Sequence, residues 1–241
     1  QNLYNGIKGN MLQRLLKANG LETGQSYIRI TVTTGKDYGT HLLSKDSTPT
    51  IIVIAKPIDV KVISLLQRNG VKAITVNAIN PALSQIKSLN YLPNVLAKME
   101  AERKGVYEGI FITPDGLVLE GSSTNIFIVS KGVLKTPLTY VPPLFPRGGI
   151  SSPPLKRGGK GGLYPCILPG IMRQAVIEAA RKNGLKVIEG KITVKELMNA
   201  DETFLTNSII EVVPLIGVDS KPIGDKRPGS VTRVLQQKIV L

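Results

Sequence analysis

Gln85-Ile86-Lys87-Ser88-Leu89-Asn90-Tyr91-Leu92-Pro93-Asn94 is the stretch around which the rest of this chain is organised. It follows an apolar, β-branched run, Val71 to Ile79, with a bend at Pro81, and it leads into a helix. Asn90 is a good N-cap, Pro93 falls in the first turn, and Leu92, Leu96 and Met99 share one face. Lys87 therefore stands at a strand-to-helix junction, where a side chain can enter a cleft. An amine held there and partly desolvated loses some of its charge and becomes a nucleophile toward carbonyls. Taken alone, a lysine beside a helix start is an ordinary surface residue.

On the N-terminal side, periodicity predicts a helix over about residues 8 to 19, then strands Tyr27 to Thr33 and Thr50 to Lys56 around a polar turn, Gly35 to His41. Two strands joined this way read as an antiparallel pair. Asp59 to Asn69 shows no decisive pattern, and a domain boundary is placed in or near Pro57 to Asn69. That gives a small domain over 1–65 and a larger one over 66–241.

On the C-terminal side, a helix over about residues 91 to 104 ends at Gly105. Val106 to Thr113, Leu117 to Glu120, Thr124 to Val129 and Val133 to Thr136 then read as short antiparallel strands. Pro137 to Gly162 breaks the pattern. It holds two Pro-Pro-Leu…Arg-Gly-Gly copies, is basic and cannot pack a core, so a flexible surface insertion is expected over 137–162. The Gly-rich piece at Lys160 lacks the Ser or Thr of a phosphate loop. A helix from Ile171 to Asn183 follows, with Ala175, Val176, Ala179 and Ala180 inward, then a short helix near Lys195 to Asn199. Strands Thr203 to Thr206 and Ile209 to Leu215 flank Asn207-Ser208. A last helix has Val231, Val234 and Leu235 inward.

Composition bounds the chemistry. The 241 residues suffice for a real core, and 42% hydrophobic with 20% charged residues is ordinary globular usage. The net charge of +14 is spread among apolar segments, and aromatics are only 5% with no Trp, which argues against a nucleic-acid platform. Such a surface attracts anionic substrates and cofactors. One Cys, Cys166, with one His excludes an intrachain disulfide and a usual zinc site, so no metal is expected and a reducing, cytoplasmic setting fits. No apolar run is long enough to span a bilayer.

Four features belong together: Lys87 at its junction, Glu120 at a strand end, Gly170-Ile171 opening a helix, and Asn207-Ser208 interrupting two apolar strands. A helix start offers free N–H groups to an anion such as phosphate. An amine nucleophile, a buried carboxylate and a phosphate cup are the parts that pyridoxal phosphate requires. Each part has a commonplace structural alternative, and spacing alone carries the idea no further than a weak guess.

The motifs carry a resemblance. Ile86-Lys87-Ser88-Leu89-Asn90-Tyr91-Leu92, Glu120-Gly121-Ser122-Ser123-Thr124-Asn125-Ile126-Phe127, Leu168-Pro169-Gly170-Ile171 and Thr206-Asn207-Ser208 occur in the order found in class IV aminotransferases. That family includes D-amino acid transaminases, branched-chain aminotransferases and aminodeoxychorismate lyases. The resemblance implies an α+β, two-domain fold-type IV enzyme, with a small α/β domain, a larger β-barrel-like domain and a homodimer. It implies a pyridoxal 5'-phosphate enzyme moving an amino group between an amino acid and a 2-oxo acid, or a lyase releasing pyruvate from aminodeoxychorismate. Lys87 would bond to the cofactor and shuttle the substrate proton, and Glu120 would bind the pyridine nitrogen. Leu168 would pack on the ring. The N–H groups of Gly170, Ile171 and Met172, with Ser208 and Asn207, would hold the phosphate.

Three departures from the family pattern stand out. The family carries about 50 to 70 further residues before the position of Gln1, roughly half a small domain, including an arginine that pairs with the phosphate. Met172 stands where the family has Thr, and the 137–162 stretch replaces a short connection. These departures motivate a third expectation, a truncated remnant without activity. His41 matches a substrate-binding His of the D-amino acid enzymes, but Gly39 occupies the place of their Arg.

Overall fold

The structure is a computed structural model that describes residues 9–36, 48–78, 84, 86–139 and 167–239. His41, Cys166, the Pro81 bend and residues 140–162 of the expected insertion lie outside the described residues. The chain forms two compact units, Gln1–Val62 and Ile63–Leu241.

In the first unit, α1 (Gly9–Ala18) precedes strands β1 (Ser26–Thr33) and β2 (Thr50–Pro57), which pair antiparallel. Ile28, Ile30 and Val32 lie opposite Ala55, Val53 and Ile51, so one face of this ribbon is apolar beyond Ser26. The stretch without a decisive pattern is helix α2 (Val60–Asn69), started by Asp59, whose Oδ1 accepts the Val62 N–H at 3.0 Å. Val60, Val62 and Leu65 are exposed, and Leu66, which belongs to the second unit, packs against that unit's own core.

The second unit is built on β3 (Val71–Asn77), α3 (Leu92–Arg103), β4 (Glu108–Ile112), β5 (Val118–Gly121), β6 (Asn125–Ser130) and β7 (Val133–Thr136). It continues through α4 (Ile171–Lys182), β8 (Lys186–Glu189), α5 (Val194–Met198), β9 (Glu202–Asn207), β10 (Glu211–Val218), β11 (Lys221–Pro222) and α6 (Ser230–Lys238). Its nine strands form one sheet in the order β5-β4-β3-β10-β9-β6-β7-β8, with β11 added to β10. The mixed α+β architecture agrees with the sequence reading, but the sheet is not a simple antiparallel run. β3 lies parallel to both β4 and β10, and β7 lies parallel to β8. The physical reason is the helical crossover: the chain passes through α3 between β3 and β4 and through α4 between β7 and β8, the long connection that parallel pairing requires.

Both faces of the sheet are covered, which explains the unbroken burial of β6. Ile126 and Ile128 enter one core with Leu205, Val213 and Leu197. Phe127 and Val129 enter the other, where α4 and α6 pack through Val176, Ile177, Ala180 and Leu235. Phe127 and Phe204 stack there at 4.9 Å between centroids. In α4, Met172 and Ile177 rather than Ala175 accompany Val176 and Ala180 inside, and in α6 Val234 faces outward while Thr232 and Leu235 are buried. Among the described residues no helix is long and apolar enough to cross a membrane.

Helix α3 departs most from expectation. Tyr91, not Asn90, holds its N-cap position and makes no side-chain capping bond, while Pro93 sits in the first turn. Its buried side is Ala97 and Ala101, and Leu92 and Met99 are 64% and 59% exposed. Close approach decides this: a Cβ on Gly109 of β4 would come within 2.8 Å of the Ala97 carbonyl oxygen. Only small side chains fit between helix and strand there, so the larger ones face out.

Candidate active site

β5 ends on Glu120 and Gly121, and β6 begins with Asn125; the turn Ser122-Ser123-Thr124 joins them. Glu120 is 9% exposed. Its Oε2 accepts the Leu168 N–H at 3.0 Å and the Asn125 side-chain amide at 3.3 Å. The same amide donates to the Leu168 carbonyl at 2.9 Å, and that carbonyl also receives the Gly170 N–H at 2.8 Å. Asn125 thus clamps the strand pair to the start of α4. Gly170 is needed at this contact, since a Cβ there would lie 2.1 Å from Asn125 Oδ1.

Burial pushes the Glu120 carboxyl up to about 8, against the smaller opposing effects of the Leu168 N–H and the Lys87 charge. Lys87 is therefore within electrostatic reach of Glu120. Its Nζ donates to Tyr91 Oη at 3.2 Å and lies 5.9 Å from the centre of that ring. The amine is exposed rather than desolvated, because it sits on a loop whose neighbours Ile86, Ser88 and Leu89 are exposed too.

Gly170 is the extended N-cap of α4. The first turn closes with the Gln174 N–H on the Gly170 carbonyl at 3.0 Å, so the N–H groups of Ile171, Met172 and Arg173 precede any intrahelical bond. The Ile171 side chain projects outward, 79% exposed, whereas that of Met172 is buried in the core beneath. Met172 can therefore offer only its backbone. Leu168 is half-buried beside Glu120.

Asn207 serves its own turn: Oδ1 accepts the N–H groups of Ile209 and Ile210 at 2.8 and 2.9 Å, and Nδ2 donates to the Ser123 carbonyl at 3.1 Å. Ser208 is exposed at the turn tip. Thr206, paired with Asn125 across β9 and β6 and so on the same face, has a buried hydroxyl without a hydrogen-bond partner among the described residues.

The structure thus ties Glu120, Leu168 and Gly170 into one bonded group, and it anchors Asn207 to the same turn. His41 lies outside the described residues. Three residues without an assigned role in the sequence reading stand out. Asn125 and Tyr91 sat inside quoted motifs whose polar side chains could have been asked for partners. Glu108, fully buried in β4, left no signal, because one acidic residue between Tyr107 and Gly109 reads as surface.

The chain matches the family model for amino-transferase class IV over residues 9–217. It belongs to the class IV aminotransferases. A Methanocaldococcus jannaschii relative assigned as a branched-chain-amino-acid aminotransferase is 37% identical over 231 residues, covering 92% of this chain and 68% of the relative. The D-alanine aminotransferase of Bacillus licheniformis is 33% identical over 228 residues, covering 94% and 70%. The aminodeoxychorismate lyase of Bacillus subtilis is 29% identical, covering 94% and 68%. Among solved structures, the branched-chain aminotransferase of Escherichia coli superposes with a TM-score of 0.76 at 27% identity, covering 98% of this chain and 73% of that one. The branched-chain aminotransferase of Thermobaculum terrenum in its PLP-form superposes at 0.73 and 26% identity, covering 95% and 67%. The fold is that of the fold-type IV aminotransferases.

Proposed function

We propose that this class IV aminotransferase binds pyridoxal 5'-phosphate and transfers an amino group between an amino acid and a 2-oxo acid. The observation that carries the reading is Glu120, a buried carboxyl bonded through Asn125 to the start of α4, with the Lys87 charge acting on it. Both of its bonds from described residues end on Oε2. A carboxyl pushed up by burial and lacking a full cationic partner suits a pyridinium N–H, so the residues fit the cofactor. When bound, the cofactor supplies an electron sink for the substrate carbon that bears the amino group.

Each residue then has a task. Glu120 would hold a proton at the ring nitrogen, and Leu168 would bear on the ring. Lys87 would bond to the cofactor and carry a proton to and from the substrate carbon, its amine oriented by the Tyr91 hydroxyl. The N–H groups of Ile171 and Met172, with Gly170 and the Ser208 hydroxyl, would hold the phosphate. Asn207 would shape that turn rather than donate.

We also infer a homodimer, in keeping with the apolar face that α3 turns outward. The lyase reading is favoured by the Bacillus subtilis relative, and pyruvate release without an amino acceptor would establish it in place of transamination.

The test is incubation with pyridoxal phosphate, reduction with borohydride and peptide mass mapping, beside Lys87→Ala. A reduced adduct on Lys87, absent from the variant, is expected. If neither protein takes up cofactor, the inactive-remnant reading replaces this one.

A further inference from the structure

Glu108 is 0% exposed. Its Oε1 accepts the N–H groups of Gly109 and Ser122 at 3.0 and 3.1 Å and the Ser122 hydroxyl at 2.5 Å. Its Oε2 accepts the hydroxyls of Ser123 and Thr124 at 3.2 and 3.0 Å. Five donors around one buried carboxyl account for the composition of the turn between Glu120 and Asn125: three consecutive hydroxyl residues all bond inward. Gly121 follows from the same packing, since a Cβ there would lie 2.2 Å from Thr124 Oγ1 and 2.9 Å from Glu108 Cγ.

The outer side of this turn is used as well. The Ser122 carbonyl accepts the Asn94 amide at 2.8 Å, and the Ser123 carbonyl accepts the Asn207 amide at 3.1 Å. Asn94 lies in the first turn of α3, just after the Lys87 loop, and Asn207 shapes the Ser208 turn. One buried side chain therefore sits behind the backbone that joins Glu120, Asn125, the start of α3 and the β9–β10 turn.

We propose that Glu108 is the positioning residue of the cofactor site, fixing the Ser122-Ser123-Thr124 turn so that Glu120, Asn125 and the Asn207-Ser208 turn hold one mutual geometry. It touches neither substrate nor cofactor and acts through the turn. The proposal rests on the pyridoxal-phosphate reading of the site.

The required property is an acceptor, not a charge. Glu108→Gln can keep its carbonyl at the Oε1 position, while the Ser123 and Thr124 hydroxyls rotate to accept from the new amide. Glu108→Ala leaves two backbone N–H groups and three hydroxyls in a void.

The experiment is hydrogen exchange by mass spectrometry on the cofactor-free wild type, Glu108→Ala and Glu108→Gln, with titration of pyridoxal phosphate by absorbance. In Glu108→Ala, exchange should rise about tenfold or more in peptides spanning 118–127 and 205–210, with 230–238 unchanged; cofactor affinity should fall about tenfold or more. Glu108→Gln should restore both. If exchange rises equally in 230–238, Glu108 is merely structural and the proposal is overturned. It is also overturned if 205–210 does not respond, or if Glu108→Gln is as impaired as Glu108→Ala. Should Glu108→Ala fail to fold, Thr124→Val removes one of the five donors and should give the same pattern at smaller size. A wild type that takes up no cofactor sinks the functional reading, while the exchange pattern still judges Glu108.

Discussion

Glu120 shows how one residue couples site chemistry to stability. Its carboxyl is raised from 4.5 to about 8, chiefly by burial. A carboxyl raised on folding favours the folded state fully below about pH 4.5, and that contribution is lost as pH rises through about 8. The cofactor-free chain should therefore lose stability over that window relative to Glu120→Gln, whose amide keeps an acceptor for Asn125 and Leu168. Thermal unfolding of both proteins at about pH 5 and about pH 8.5 checks this: the variant should be the more stable at the higher pH and should lose the advantage at the lower. A constant difference at both pH values would remove Glu120 as a titrating group. Lys87, Glu120 and Gly170 were singled out in the sequence because the motifs that resemble the family carry them. Glu108 was not, because nothing local distinguishes a carboxylate that folds under a neighbouring turn from one in solvent.

At the scale of elements, α5 is the clearest case of local sequence prescribing local structure. The Thr193 hydroxyl accepts the Glu196 N–H at 3.1 Å, and Glu196 Oε2 accepts the Thr193 N–H at 2.8 Å, a reciprocal capping box. Lys135, bonded at 2.5 Å, and then the Thr193 N–H hold the Glu196 carboxyl down at about 2. A lowered carboxyl stabilises the fold above about pH 4.5 and loses that contribution as pH falls toward 2. Thr193→Ala should cost about 1 kcal/mol in urea unfolding at about pH 7 and should raise the Glu196 titration midpoint seen by NMR. An unchanged midpoint would assign the depression to Lys135 and the backbone N–H of residue 193, with nothing from the hydroxyl.

Helix α3 teaches the opposite lesson. Its apolar residues Leu92, Val95, Leu96 and Met99 have the i, i+3, i+4, i+7 spacing of a core-facing stripe, yet they are the exposed side. Periodicity identified the helix and its stripe correctly. Which side meets the sheet was decided by Gly109 and the room it leaves for Ala97.

For the whole molecule, that outward stripe is the main unpartnered apolar surface of the described second unit, and Leu89 extends it. In the proposed homodimer it is the surface to be covered. Sedimentation equilibrium should find a dimer in wild type, and Leu96→Glu should raise the dissociation constant about tenfold or more with the circular dichroism spectrum retained. A monomeric wild type would remove the dimer from the proposal. The first unit, by contrast, has no buried residue among those described, so its two-stranded ribbon carries little core of its own.

Local chemistry was enough to determine much of this protein. The order and type of most elements and the α+β class follow from period, caps and turns, which act over a few residues, and the resemblance of the motifs around Lys87, Glu120, Gly170 and Ser208 pointed to the family. The tertiary structure alone decided the mixed strand order, the outward stripe of α3, the exposure of Lys87, and the bonds linking Glu120, Asn125 and Gly170. It alone brought Glu108 beneath the Ser122-Ser123-Thr124 turn. Most of these depend on contacts between residues well separated in sequence, such as Glu108 with Ser122 and Glu120 with Leu168. At that separation the free space beside a glycine and the number of donors around a carboxyl are set by packing, and no local pattern encodes them.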